Sequence, residues 1–145
     1  MKPSEQRLDW YQPHGNSLSD EVLDYIVLDT FGQYGGMTFR LVDGNYIRSR
    51  HVDLDFTAGG NYARYGYVST EEIWIDAELD ESEWAPTMLH EYVETLLMLN
   101  EHSYEGSHDI ANTIEAEYRD TYEFSGDAFQ DFVLKITSLT DLFVD

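Results

Sequence analysis

Two stretches of helical periodicity, 86–99 and 105–122, follow one another with little chain between them, and they restrict the fold more than any other feature. At 100° per residue, Leu89, Tyr92, Val93, Leu96 and Leu97 fall on one arc of the first stretch. Pro86 suits its opening turn, where a missing N–H costs nothing. Ile110, Ala111, Ile114 and Tyr118 form the matching arc of the second. A connection of about eight residues, containing Gly106, returns the second helix antiparallel to the first. Each helix must bury its arc, and the rest of the chain has to supply what the pair does not cover.

A third helix is predicted over 127–143, with Phe129, Phe132, Val133, Ile136 and Phe143 on one face. Upstream, Ser19 is placed to cap a helix over 20–31 whose apolar positions are Val22, Leu23, Ile26 and Val27. The glycines of 32–36 stop it. Met37, Phe39 and Leu41 alternate with polar residues, and Asp43-Gly44 offers a tight turn, so 37–52 reads as a β-hairpin. Residues 55–68, with Gly59 and Gly60, read as a loop or second hairpin, and 73–75 as a short strand before the polar cap at 80–84. The order of helix, strands and three helices is α+β. The expected architecture is a short antiparallel sheet packed against a helical pair plus a C-terminal helix. Residues 1–16 form an arm and 17–145 a single domain.

Twenty-nine Asp and Glu against eight Lys and Arg give a net charge of −21, and the only lysines are Lys2 and Lys135. Such a surface repels nucleic-acid backbones and anionic membranes, so neither is an expected direct partner. No apolar run approaches the ~20 residues that cross a bilayer, and the first residues lack the apolar core of a signal peptide. Together with the absence of cysteine, this makes a cytoplasmic protein the expectation. The acidic, lysine-poor composition points to a halophilic source. An ordinary solvated acidic surface, and a DNA mimic occupying a basic protein's groove, are the alternatives.

Without cysteine, a metal site has only His, Asp and Glu to use. In MLHEYVETLLM, His90 and Glu94 stand at i and i+4, on one face at the margin of the apolar arc. That margin is where a ligand is supported by packing yet open on one side. In SYEGSHDIANTIEAEYR, His108 and Glu115 are seven apart and lie within about 20° of each other, with Asn112 and Arg119 extending the stripe. Packing the two arcs together would bring His90, Glu94, His108 and Glu115 to one place. Imidazoles plus carboxylate suit zinc, and Glu91 occupies the place of the general base in H-E-x-x-H metalloproteases. The competing account is a hydrogen-bonded His–Glu network between the helices without metal. His51, Asp53 and Asp55 alternate as on a strand face, more in keeping with an acidic edge strand than a site. His14 and His102 fall in arm and loop.

The strand EIWID, the helix LHEYVETLLM and the segment YEGSHDIANTIE resemble a set of short uncharacterised bacterial and phage proteins. These share an EIWID-like strand, an LHE-x-x-E helix ending Leu-Met, and Y-x-x-A-H-x-x-A-x-x-x-E. Ile73, Trp74, Ile75 and Asp76 match the strand. His90, Glu91, Glu94, Leu97 and Met98 match the first helix, and Tyr104, His108, Ala111 and Glu115 the second. The pair Gly59 and Gly60 also fits, and the likeness spans about 51–118. That group in turn resembles minimal zincins, in which an edge strand precedes the motif helix and lies beside the substrate. The resemblance implies a small zincin-like domain with His90 and Glu94 as ligands, Glu91 as base, and His108 or Glu115 completing the set. Glu94 stands where the standard motif has its second histidine, and Ser107 where the group has Ala.

The function expected on these grounds is a metal-dependent hydrolase, a zincin-like peptidase acting on a peptide or protein, with zinc or another divalent metal as cofactor. A phage relative implies a virus-encoded protein in the host cytoplasm or virion. The alternatives are a non-catalytic, metal-stabilised structural or interaction protein such as a virion component, and an acidic DNA-mimic inhibitor.

Overall fold

The computed structural model describes residues 18–49 and 53–139. Among these, helix α1 (Asp20–Ile26) leads directly into β1 (Val27–Tyr34), followed by β2 (Met37–Val42) and the short helix α2 (Gly44–Ser49). Next come β3 (Gly59–Gly60), β4 (Glu72–Asp76), a 3-10 turn (Glu81–Glu83), α3 (Trp84–Leu99), α4 (Tyr104–Thr121) and α5 (Ala128–Ser138). The α+β reading holds, and both halves of the predicted helical pair form within two residues of their expected bounds. The expected arm at 1–16 lies outside the described residues.

The N-terminal third departs from expectation in two places. Ser19 does cap α1, accepting from the Val22 N–H, but the helix stops at Ile26, and 27–34 become a strand. Val27, Thr30 and Phe31 are strand formers, and pairing with β2 satisfies their backbone better than another helical turn could. The hairpin therefore joins β1 to β2, and its turn is Gly35-Gly36, not Asp43-Gly44. Both glycines have positive φ, +58° and +82°, as a type I′ turn requires. Asp43 instead caps α2, its Oδ1 accepting from the Tyr46 N–H at 2.9 Å. Asp-Gly serves a helix start as readily as a tight turn, and sequence alone does not separate the two.

The sheet is mixed rather than antiparallel, in the order β1-β2-β4-β3. β2 and β4 run parallel, while β1 and β3 pair antiparallel with their neighbours. β4 is thus interior, and the edge beside it is the two-residue β3. Both faces of β4 are covered, which explains why its residues are buried without alternation. Ile73 and Ile75 face one cluster, with Phe39, Leu89, Tyr92 and Phe132, beneath α3 and α5. Trp74 faces the other, with Ile26, Val42, Phe56 and Tyr65. Each fully buried side chain of this size contributes roughly 1.5–3 kcal/mol of transfer free energy. Arg48 ties α2 to β4 through Asp76 at 2.8 Å.

The connection between α3 and α4 is only 100–103. Gly106, expected in the loop, lies in the first turn of α4, its N–H donating to the cap residue Ser103. The buried row of α4 is Ser107, Ala111 and Tyr118, while Ile110 of the predicted arc is 41% exposed. Ser107 takes the place of Ile110 at the margin of the arc, which Ala111, Ile114 and Tyr118 otherwise keep. α5 begins at the Asp127 cap and ends at Ser138, short of the predicted 143; 140–145 lie outside the described residues.

Candidate metal centre

α3 and α4 pack against each other, and their polar margins meet near the start of α4. His90 and Glu94, one turn apart on α3, are 8% and 2% exposed. The buried Ser107 and Ala111 let the backbone of α4 approach closely, so His108 reaches across: its Nδ1 lies 2.7 Å from Glu94 Oε2. Glu94 Oε2 also lies 3.3 Å from His90 Nε2. Tyr104, one turn before His108, stacks on its ring at 5.6 Å. One atom each from His90, Glu94 and His108 falls within 4.8 Å of the others.

Glu115 is brought to the same place but on the far side of His90. Its Oε1 is 2.9 Å from His90 Nδ1, a charge contact whose direction misses the ring N–H axis. Its other oxygen is held by Arg119 at 2.7 Å, and Arg119 also reaches Glu83 at 2.8 Å. A chain therefore runs from Arg119 through Glu115 to the outer nitrogen of His90. Glu91 lines a cleft of about 210 Å³ together with His90, Glu115, Arg119, Thr87 and Ala58.

A residue that the sequence reading missed joins the two carboxylates. Asn61, wholly buried, donates from Nδ2 to Glu91 Oε1 and to Glu94 Oε1, both at 2.9 Å. It follows β3, whose glycines lie where a Cβ would meet Trp74 and Thr87 or the Tyr65 ring. Only glycines let the edge come in this close. The Gly-Gly pair was a visible signal of close approach, but it does not tell which side chain arrives.

These contacts separate the protonation states. Burial acts against the charge on His90, yet Glu115 and Glu94 outweigh it and raise its pKa to about 10. Burial also opposes ionisation of Glu94, but hydrogen bonds from His108 and His90 hold it well below the ordinary carboxylate range. Glu91, with burial and the Glu94 charge both against it, is pushed well above that range. Glu115 is lowered despite burial by His90 and Arg119.

Donors about 2.0–2.1 Å from a tetrahedral ion stand about 3.3 Å apart. The His90–Glu94 separation meets that value, and the shorter His108–Glu94 contact is a hydrogen bond that an ion would replace. Two imidazole nitrogens and one carboxylate oxygen are also a donor set zinc accepts. The residues fit a divalent metal. Two larger hollows, of about 440 Å³ beside Arg40 and 400 Å³ beside Lys135, bring no comparable donors together.

Of the other histidines and acids, His51 and His14 lie outside the described residues, and His102 is an exposed loop residue. Asp53 and Asp55 are not on a strand: 53–55 turn, with Asp53 buried and accepting from the Tyr67 hydroxyl at 2.8 Å. Comparisons with models of known protein families, with curated proteins and with solved structures each found no match to this chain.

Proposed function

We propose that the chain is a metal-dependent hydrolase of zincin type, with a peptide or protein as substrate. The observation that carries this is the convergence of His90, Glu94 and His108 with Glu91 beside them. A bound zinc or similar ion would act as a Lewis acid and lower the pKa of a water to about 7. His90 Nε2, Glu94 Oε2 and His108 Nδ1 would hold the ion. Glu115, fixed by Arg119, lies 2.9 Å from His90 Nδ1 and would act on the ring through its charge. This makes Glu115 a supporting group, whereas the sequence also allowed it as a ligand. With an ion bound, its positive charge would lower the raised pKa of Glu91, and the resulting carboxylate, lining the cleft, would accept a proton from the attacking water. Ala58, next to the edge strand β3, lines the cleft, whereas 73–75, expected at the edge, belong to the interior strand β4.

Zinc content and melting temperature of wild type, His90→Ala and His108→Ala test the site. Wild type should take up one equivalent after incubation with zinc, and each variant should lose it and the accompanying thermal stabilisation. Zinc content unchanged in both variants, or none in wild type, ends this reading. A second reading, a non-catalytic module tied together by the same groups, is favoured by one observation: His90 already meets carboxylates at both ring nitrogens. It predicts wild type without zinc, or zinc-loaded protein that cleaves nothing in broad peptide libraries.

A further inference from the structure

Both amide hydrogens and the amide oxygen of Asn61 are hydrogen-bonded inside the protein. Its two amide hydrogens go to Glu91 Oε1 and Glu94 Oε1, and its Oδ1 accepts from the Ala63 N–H at 2.9 Å. The reverse amide orientation would set an oxygen against two carboxylates and an NH₂ group against an N–H, so the assignment is fixed by its surroundings. The result divides Glu94 in two. Oε1 belongs to Asn61, while Oε2 alone faces His90 and His108. The same amide holds the Glu91 carboxyl beside that of Glu94, three residues further along the helix.

We infer that Asn61 is a positioning residue that restricts Glu94 to a single ligand oxygen and keeps Glu91 apart from the ion, on the cleft side. The inference rests on the reading of His90, Glu94 and His108 as metal ligands. Without the amide, Oε1 is free to join Oε2 on the ion, and the two carboxylates face each other with no donor between them. An open coordination position then depends on a residue of the sheet edge, not of the motif helices.

Cobalt(II) titration of the full chain, followed by visible absorption, reads both affinity and coordination number. Asn61→Ser keeps an oxygen for the Ala63 N–H, as serine does in such turns, but is too short to bridge the carboxylates. The expected result is one cobalt per chain, bound about 10- to 100-fold more weakly than by wild type, the usual cost of losing an outer partner of a ligand. Its absorption should weaken toward that of a five-coordinate ion. Wild-type affinity and spectrum in Asn61→Ser overturn the inference. So does weaker binding with an unchanged spectrum, because a merely structural role gives that. Should the variant fail to fold, the wild-type protein still decides by NMR. The Asn61 side-chain amide protons should stay distinct and protected from exchange with zinc bound, and rapid exchange overturns the role. Absence of cobalt binding in wild type, or wild-type binding in His108→Ala, marks failure of the metal site itself and carries this inference with it.

Discussion

Glu91 and Glu94 are less than one helical turn apart, share one amide partner, and are driven to opposite protonation states. Glu94 gains two histidine contacts that Glu91 lacks, and that difference favours the ionised form of Glu94 and the protonated form of Glu91. Glu91→Gln keeps the shape and its bond to Asn61 in altered form but removes the acceptor. Metal content should stay at the wild-type level while cleavage of a mixed peptide library falls by about 10²–10⁴-fold, the usual worth of general-base catalysis. Equal cleavage by the variant would remove Glu91 from this role. At this scale the sequence was informative for groups on one helix pair. The i, i+4 spacing of His90 and Glu94 and the seven-residue spacing of His108 and Glu115 place side chains by helix geometry alone. Asn61 could not be found that way, since its position depends on how closely a glycine edge approaches a helix thirty residues later, a distance read from the Asn61–Glu91 separation.

Between α4 and α5 the chain turns on one side chain. Asp131 is buried, and its Oδ2 accepts from the Tyr122 hydroxyl at 2.9 Å and the Ser125 N–H at 3.0 Å, closing the connection before α5 begins. Burial works against its charge, but the Ser125 and Tyr122 bonds prevail and its pKa is lowered. A carboxylate with a depressed folded-state pKa stabilises above its unfolded value, near 3.8, and that stabilisation is lost as pH falls through the folded value. Asp131→Ala should therefore lower stability by about 1–3 kcal/mol at pH 7, the range for bonds to a charged group. The gap in melting temperature between variant and wild type should shrink as pH drops below 4. A gap that does not change with pH would show that the ionised form is not what matters. Elements whose periodicity extends over three or more turns, α3 and α4, were legible in the sequence. Short elements were not: 27–34 has as much helical as strand character until β2 supplies a partner, and the parallel sense of β2 and β4 is set by a crossover that leaves no local mark.

Over the whole chain, the charge of −21 exceeds what a few ion pairs neutralise, and the described ones involve Arg40, Arg48 and Arg119. Repulsion among surface carboxylates reaches across the molecule at 0.01 M salt, where the screening length is about 30 Å, and is confined to neighbours at 1 M, where it is about 3 Å. Raising KCl from 0.05 to 2 M should raise the melting temperature by several degrees, followed by circular dichroism. A flat response would discard the halophilic reading.

The parallel pairing of β2 with β4 also sets an order of assembly. To bring Val42 beside Asp76, the chain must first close a loop through 43–71, whereas α3 and α4 are joined by 100–103 alone. Closing the longer loop costs more entropy before any contact rewards it. His90, Glu94 and His108 should therefore meet early, and Asn61 should arrive with the sheet edge as one of the last parts. Pulse-labelled hydrogen exchange during refolding would see α3 and α4 amides protected ahead of those in β4, and the reverse order would refute this. A half-folded chain would then bring the three candidate ligands together before Asn61 bridges Glu91 and Glu94, so any ion would be captured first and the site completed last.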